Sequence, residues 1–331
     1  MNARIQGTGM VTPLGRGTVA VRDAVIAGAR PEPQSLENPF DARAFPVFRV
    51  DPKIVDDAAR MPRLRRSGVI SHFAVAAALD ALKDANCDGG DERLALVFAT
   101  TNGGVVHTRR FFDEIANSGT QAGSPLLFPE TVYNAPASHI AAILGITGVV
   151  TTIVNDATAG VDAIATACEL LAANACDRCL VVAAEEADWI VCEACATWGL
   201  ADAGAAPFGE GAAALVLGRE ERGPKIERIC ASATFRSIVE ARQRFVEMET
   251  GRVDIVVTSA SGRKFDAAEA ALALDSRRLA PRFSLGEAFA SSTIMQVVLA
   301  SISLGESERA LVPVTGFHGQ LAALTIVNGK A

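Results

Sequence analysis

One order of elements occurs twice in this chain. A small-residue helix over 161–173 is followed by a strand over 180–186, a glycine turn and a strand over 211–217. A long apolar helix over 288–304 is likewise followed by a strand over 310–314, a glycine turn and a strand over 321–327. Both helices are apolar on nearly every face, so each must be covered on all sides. A helix of that kind sits between sheets, which predicts a layered α/β stack of two related halves about a pseudo-twofold axis. The halves meet near Gly223-Pro224, giving 1–222 and 223–331, with no low-complexity linker between them.

The rest of the chain alternates strand and helix. A strand over 3–10 ends in a turn, and an Arg-rich segment (51–66) leads into a helix whose apolar face is Val69, Phe73, Val75, Ala76 and Leu79. A buried strand (94–100), a helix (105–115), an ordered proline-containing loop (124–134) and a short helix (138–144) follow. In the second half, the pattern predicts a strand over 225–234, a helix near 238–246, a strand over 253–257 and a helix near 267–274.

Composition excludes several classes. Half of the 331 residues are apolar, yet no apolar run reaches the roughly 18 residues of a membrane span. The net charge of −7, with one Tyr and two Trp, speaks against nucleic-acid binding. The first residues lack a charged-then-apolar signal, so the expected location is cytoplasmic. Cys176, Cys179, Cys192 and Cys195 form a CxxC…CxxC pattern, ordinarily a zinc signal. The strand after Cys179 carries the chain roughly 20 Å away, however, and one tetrahedral ion needs all four sulfurs within about 2.3 Å. Buried, reduced thiols are the expectation, with no metal and no cofactor. Cys168 reads as core packing, and an odd total of seven argues against a disulfide framework.

A β-branched run, 149–154, stops at Asn155-Asp156, and the small-residue helix begins beside Gly160. Enzymes place a nucleophile at such a strand-to-helix elbow, because the helix N-terminus lowers a thiol's pKa. Here the elbow carries Ala157.

Seven collinear segments give the chain a family likeness. They are GTGMVTPLG (7–15), NAPASHIAAILGITG (134–148), DATAGVDAIATA (156–167), FGEGAAALVL (208–217), DAAEAALAL (266–274), SLGEAFASSTIMQ (284–296) and GFHGQLAALTI (316–326). The chain resembles the β-ketoacyl-acyl-carrier-protein synthases of the thiolase fold. The resemblance implies a five-layer αβαβα stack that dimerises edge to edge through the 149–154 strand. It also implies an elbow cysteine that takes the acyl chain, and two histidines that promote decarboxylation and condensation. At those positions this chain has Ala157, Ser261 and Glu287, and the family's lysine is Arg282. Alanine forms no thioester, and serine and glutamate do not replace neutral imidazoles at a forming enolate.

A synthase frame without its triad is similar to the chain-length factor, the silent partner of an active ketosynthase, with some likeness to aryl-polyene and dialkylresorcinol subgroups at 99–115 and 124–139. That implies a heterodimer with an active ketosynthase, an acyl carrier protein reached through the complex, and a homodimer as the form of the chain by itself. Phe111, Phe112, Phe128 and Tyr133 are then candidates to bound the acyl tunnel, against the plainer reading that they are core. An Arg282–Glu287 ion pair filling the old site is as good a reading as acid–base work by Glu287. The Arg60, Arg63, Arg65 and Arg66 cluster fits an acidic carrier protein or simply a solvated face. The rival class is an acyltransferase, thioesterase or decarboxylase using another nucleophile, such as Cys192 or Cys195.

Overall fold

The computed structural model describes residues 3–88, 90, 93–200, 204–248, 251–270, 272 and 275–329. Ten strands carry the architecture: β1 (Arg4–Thr12), β2 (Leu94–Thr100), β3 (Val150–Val154), β4 (Arg178–Glu185), β5 (Gly211–Gly218), β6 (Lys225–Thr234), β7 (Ile255–Val257), β8 (Arg277–Leu279), β9 (Arg309–Thr315) and β10 (Gln320–Val327). The first five run in the order β1-β5-β4-β2-β3, the second five in the order β6-β10-β9-β7-β8. In each half the first two pairings are antiparallel and the last two parallel. A single antiparallel register, Arg4 with Lys225, joins the halves. The chain therefore builds the same mixed sheet twice.

Eight helices complete the layers: α1 (Thr18–Ile26), α2 (Val69–Asp84), α3 (Val105–Ser118), α4 (Ala135–Leu144), α5 (Ala159–Ala172), α6 (Trp189–Thr197), α7 (Ile238–Met248) and α8 (Phe289–Ser303). The two apolar helices, α5 and α8, pack on each other and touch both sheets. Gly160 is the closest point: a Cβ there would stand 2.7 Å from the Thr293 side chain, so only glycine permits the approach. Helices α2 and α4 cover the outer face of the first sheet, and α7 lies against the second. The five layers, helix–sheet–helix–sheet–helix, are those of a thiolase-like fold. Nearly all of α8 is buried, from Phe289 to Ser301, which explains its lack of a polar face.

Several expectations need correcting. The 267–274 segment is not an α-helix where it is described; it is a 3-10 turn over Lys264–Ala268, and residues 271, 273 and 274 lie outside the described residues. Polar tethers decide this: Asp266 turns back to accept the Ser261 and Gly262 amides, and Glu269 is drawn inward by Thr258, Ser259 and Thr315. The segment after Ala187, for which the pattern gave no helix, is helix α6, capped by Asp188, whose carboxylate accepts the Ile190 amide at 3.1 Å. Strand β8, helix α1 and a small sheet of Gln34–Glu37, Ala44–Phe48 and Phe208–Gly209 were also not legible in the pattern. All are short, with too few residues to set a period.

Candidate functional site

The elbow forms as the sequence requires. Strand β3 ends at Val154, the turn closes with the Ala159 amide donating to the Asp156 carbonyl at 2.8 Å, and α5 begins. Ala157 is fully buried, and its carbonyl accepts from Thr293 Oγ1 at 2.6 Å. Asp156 points to the other half, where its Oδ2 accepts the His318 amide at 2.6 Å and lies 3.2 Å from His318 Nδ1. Thus both the elbow and the 316–320 turn of the second half face the same space.

That space holds charge. Glu287 is completely buried, and its Oε2 accepts from Arg282 Nη1 at 2.6 Å. A second guanidinium, Arg263 Nη1, lies 3.8 Å from the same oxygen. Glu287 Oε1 takes the Phe289 amide at 2.9 Å, at the start of α8. Arg282 Nη2 donates to Gln296 Oε1, and Gln296 donates in turn to the carbonyls of Val257 and Pro313. Arg263 is fixed by Ser261 Oγ at 2.7 Å and by the carbonyls of Leu200 and Ala206, each at 3.1 Å. Burial lowers the Arg263 pKa, and the charge of Glu287 works against that fall. The two glycines beside this cluster are obligatory. A Cβ on Gly209 would meet the Leu285 carbonyl at 2.5 Å, and Gly286 adopts φ +82°.

Aromatic rings close what the charges leave. Phe208, Phe289 and Phe317 pack together with centroids 5.1–6.4 Å apart, and the Arg263 guanidinium lies over Phe208 and Phe317. The opening among Ser259, Ser261, Arg282, Glu287 and Thr315 amounts to about 10 Å³. That is the lower limit for one water. Next to it lies an apolar cavity of about 260 Å³, bounded by Ile190, Val191, Cys195, Trp198, Phe289 and Phe317, with Asn102 and His318 adding polar groups.

The structure therefore brings Ser261, Arg282 and Glu287 into one cluster of hydrogen bonds and ion pairs, with Ala157 linked to it through α8. Of the two readings for Glu287, the geometry is that of the ion pair. The sequence reading did not single out Arg263, Gln296 or the three phenylalanines. The only signal for Gln296 and the phenylalanines was their place inside the matched segments, and Arg263 lies just before one of them.

The aromatic candidates lie elsewhere. Phe111 is half-buried on α3 against Phe128, at 5.7 Å between centroids, while Phe112, Phe128 and Tyr133 are largely exposed. None of the four lines either cavity. They share the surface with exposed Leu126 and Val132, and the exposed Val149, Val150 and Val154 belong to strand β3 and its approach. Arg63 donates to His139 Nδ1, Arg60 pairs with Asp56, and Arg65 and Arg66 are exposed.

The cysteines fall into separate clusters, Cys176 and Cys179 in the central core and Cys192 and Cys195 around Phe289. No group of three or more metal-binding side chains occurs among the described residues. Burial pushes the Cys192 and Cys195 thiols up to about 12. Among the described residues, no helix is long and apolar enough to cross a membrane.

A doubled five-stranded sheet, two central helices and an elbow facing the opposite half define a thiolase-like ketosynthase frame. The chain belongs to the β-ketoacyl synthase family, whose N-terminal domain matches residues 46–223. Among solved structures it is similar to the ishigamide ketosynthase/chain length factor, at 18% identity over 100% of both chains with a TM-score of 0.82. A β-ketoacyl synthase from Burkholderia phymatum STM815 gives 16% identity over 99% of this chain and 100% of that one, with a TM-score of 0.79. The ketosynthase ApeO in complex with its chain length factor ApeC, from Xenorhabdus doucetiae, gives 12% identity over 99% and 98%, with a TM-score of 0.80.

Proposed function

We propose that this chain is the catalytically silent, chain-length-factor-like half of a ketosynthase pair, acting with an active β-ketoacyl synthase on chains borne by an acyl carrier protein. The observation that carries this reading is the small pocket closed by Arg282, Glu287 and Arg263, together with an elbow whose residue is a fully buried alanine, with no nucleophile there and no imidazole at Ser261 or Glu287. Similar solved structures that are described as ketosynthase and chain length factor support it, as does one described as a type II acyl carrier protein with its ketosynthase. Aryl-polyene or dialkylresorcinol synthesis is the pathway class the sequence favours.

The sheet edges support pairing. Strand β3 ends its sheet with exposed Val150 and Val154, whereas β8, its counterpart, is only three residues long and carries Arg277 and Arg278. A charged, short edge resists association and an apolar one invites it. The rival reading, a hydrolase or transferase using Cys192 or Cys195, requires a thiolate that burial disfavours. Intact-protein mass spectrometry after incubation with acyl- and malonyl-carrier protein tests the choice. The expected result is no adduct on the isolated chain, together with co-purification of a co-expressed ketosynthase. A stoichiometric acyl adduct overturns the silent-subunit reading.

A further inference from the structure

Two of the four histidines, His107 and His139, act on one carboxylate, that of Glu130. Glu130 belongs to the 124–134 loop, whose outward side chains Leu126, Phe128, Val132 and Tyr133 form the exposed apolar face beside β3. The Glu130 side chain turns the other way and is only 11% exposed. Its Oε1 lies 2.9 Å from His139 Nε2 on α4, and its Oε2 accepts the Gly68 amide at 3.3 Å, just before α2. His139 Nδ1 accepts from Arg63 Nε at 3.3 Å, and an arginine Nε only donates. His139 therefore carries its proton on Nε2 and donates it to an ionised Glu130.

The other neighbours of the carboxylate complete the setting. His107, on α3, is buried and its Nδ1 has no hydrogen-bond partner among the described residues; it stands against Gly68, where a Cβ would lie 3.2 Å from that nitrogen. Arg110 on α3 and His72 on α2 also act on His107, and His72 Nε2 is committed to the Leu64 carbonyl. Glu186, behind the start of α3, accepts the Val106 amide. The loop itself rests on Gly103 and Gly104: a Cβ on Gly104 would come within 2.5 Å of the Glu130 carbonyl, and one on Gly103 within 2.7 Å of the Tyr133 ring. Its remaining ties to α3 are the Ser124 amide to Glu114 and Thr108 Oγ1 to the Thr131 carbonyl.

We propose that Glu130, seated between His107 and His139, is an acid-sensitive latch that holds the 124–134 loop on the body of the chain and so presents its apolar face near neutral pH. The part of the proposal that concerns presentation to a partner rests on the ketosynthase-pair reading above. The direction follows from proton binding. Burial raises the Glu130 carboxyl, but the hydrogen bonds from His139 and the Gly68 amide outweigh it, and the group sits below its ordinary value of 4.5. The latched state thus gains from ionised Glu130 above that value and loses the gain as pH falls through the lowered pKa. Burial lowers His107 below its ordinary 6.5, against the pull of Glu130. The latched state accordingly takes up fewer protons than the open one, and acid below about 6.5 favours opening. Both groups act in the same sense, His107 first as pH falls.

Hydrogen exchange of the isolated chain tests the latch directly. Protection of 124–134, corrected for intrinsic exchange and referred to α5, is expected to fall about tenfold between pH 7.5 and 5.0. Glu130→Gln should lower protection at both pH values, since an amide holds His139 and the Gly68 amide by weaker hydrogen bonds than a carboxylate does. His107→Asn, which does not titrate, should retain most of the protection at pH 5.0. Equal protection at both pH values in the parent chain, or a pH response unchanged in both variants, overturns the latch. Sedimentation with a purified ketosynthase then separates the two readings. Binding at pH 7.5 that weakens at pH 5.0 in step with exchange supports both. No binding at either pH, with the exchange response intact, leaves the latch standing and sinks the pairing.

Discussion

Arg282 Nη1 stands 2.6 Å from Glu287 Oε2 at the centre of the molecule, with both side chains almost wholly shielded from water. A carboxylate taken out of water is tolerable only when its lone pairs are used. Here Oε2 faces two guanidinium groups and Oε1 holds a backbone amide, so the cluster fills by charge pairing the space beside the elbow.

Breaking that pair should be costly. Glu287→Ala leaves two buried guanidinium groups facing each other and is expected to destabilise the fold by about 3–5 kcal/mol, whereas the apolar double change Arg282→Met with Glu287→Leu should recover much of the loss. Urea unfolding at constant m-value measures both. Equal losses for the single and the double variant would show that packing, not charge, is what Glu287 supplies.

Restoring the nucleophile should not restore chemistry. Ala157→Cys places a thiol at a helix N-terminus, yet on the silent-subunit reading proposed above Ser261 and Glu287 stand at the histidine positions, and the opening around them has room for hardly one water. The variant is expected to show no malonyl condensation by itself. Product detected by mass spectrometry above the parent's background contradicts this.

Stability should fall as pH rises through neutrality. Burial pushes the Glu186 carboxyl up to about 8, and its Oε2 has no hydrogen-bond partner among the described residues. Between about 4.5 and 8 the folded state therefore holds a proton that the unfolded state has released, so stability declines with rising pH, by at most about 1.4 kcal/mol per pH unit from this group. Glu186→Gln, a neutral mimic of the protonated acid, should flatten the slope of Tm between pH 6 and 9. An unchanged slope in the variant would show that Glu186 is ionised in the fold.

Pairing should depend on the β3 edge. Val150→Lys and Val154→Lys place charge on an exposed apolar edge while leaving the pairing with β2 intact, and each should weaken self-association or partner binding at least tenfold. Sedimentation at micromolar concentration reads the effect. A parent chain that is monomeric and indifferent to a ketosynthase would remove the ground for pairing.

Product length is the finest test of the pair. Phe112 faces outward from α3, whereas Phe111 is packed on Phe128. In a reconstituted pair, Phe112→Ala should lengthen the released chain at similar rates, and Phe111→Ala should chiefly loosen the loop. An unchanged product distribution with activity intact argues against α3 as the tunnel's end.

Much of the architecture could be read from residue order, for a local reason. Apolar periodicity and breaker residues report how far each segment is covered, so the wholly apolar 161–173 and 288–304 helices already implied a place between two sheets, and Ala157 at a strand-to-helix elbow already implied a missing thiol. The segments that were misread, α6 and the Lys264–Ala268 turn, are shaped by single polar contacts, Asp188 to Ile190 and Asp266 to Ser261, which leave no period. Only the tertiary structure decided what occupies the old site. Arg282, Glu287 and Gln296 share one stretch of chain, whereas Arg263, Phe208 and Phe317 come from three others. Tertiary packing brings these four stretches together, and the low dielectric there turns their charges into one paired cluster. Likewise, nothing in the spacing of His72, His107, Glu130 and His139 marks them as neighbours. They meet because α2, α3 and α4 converge on one loop.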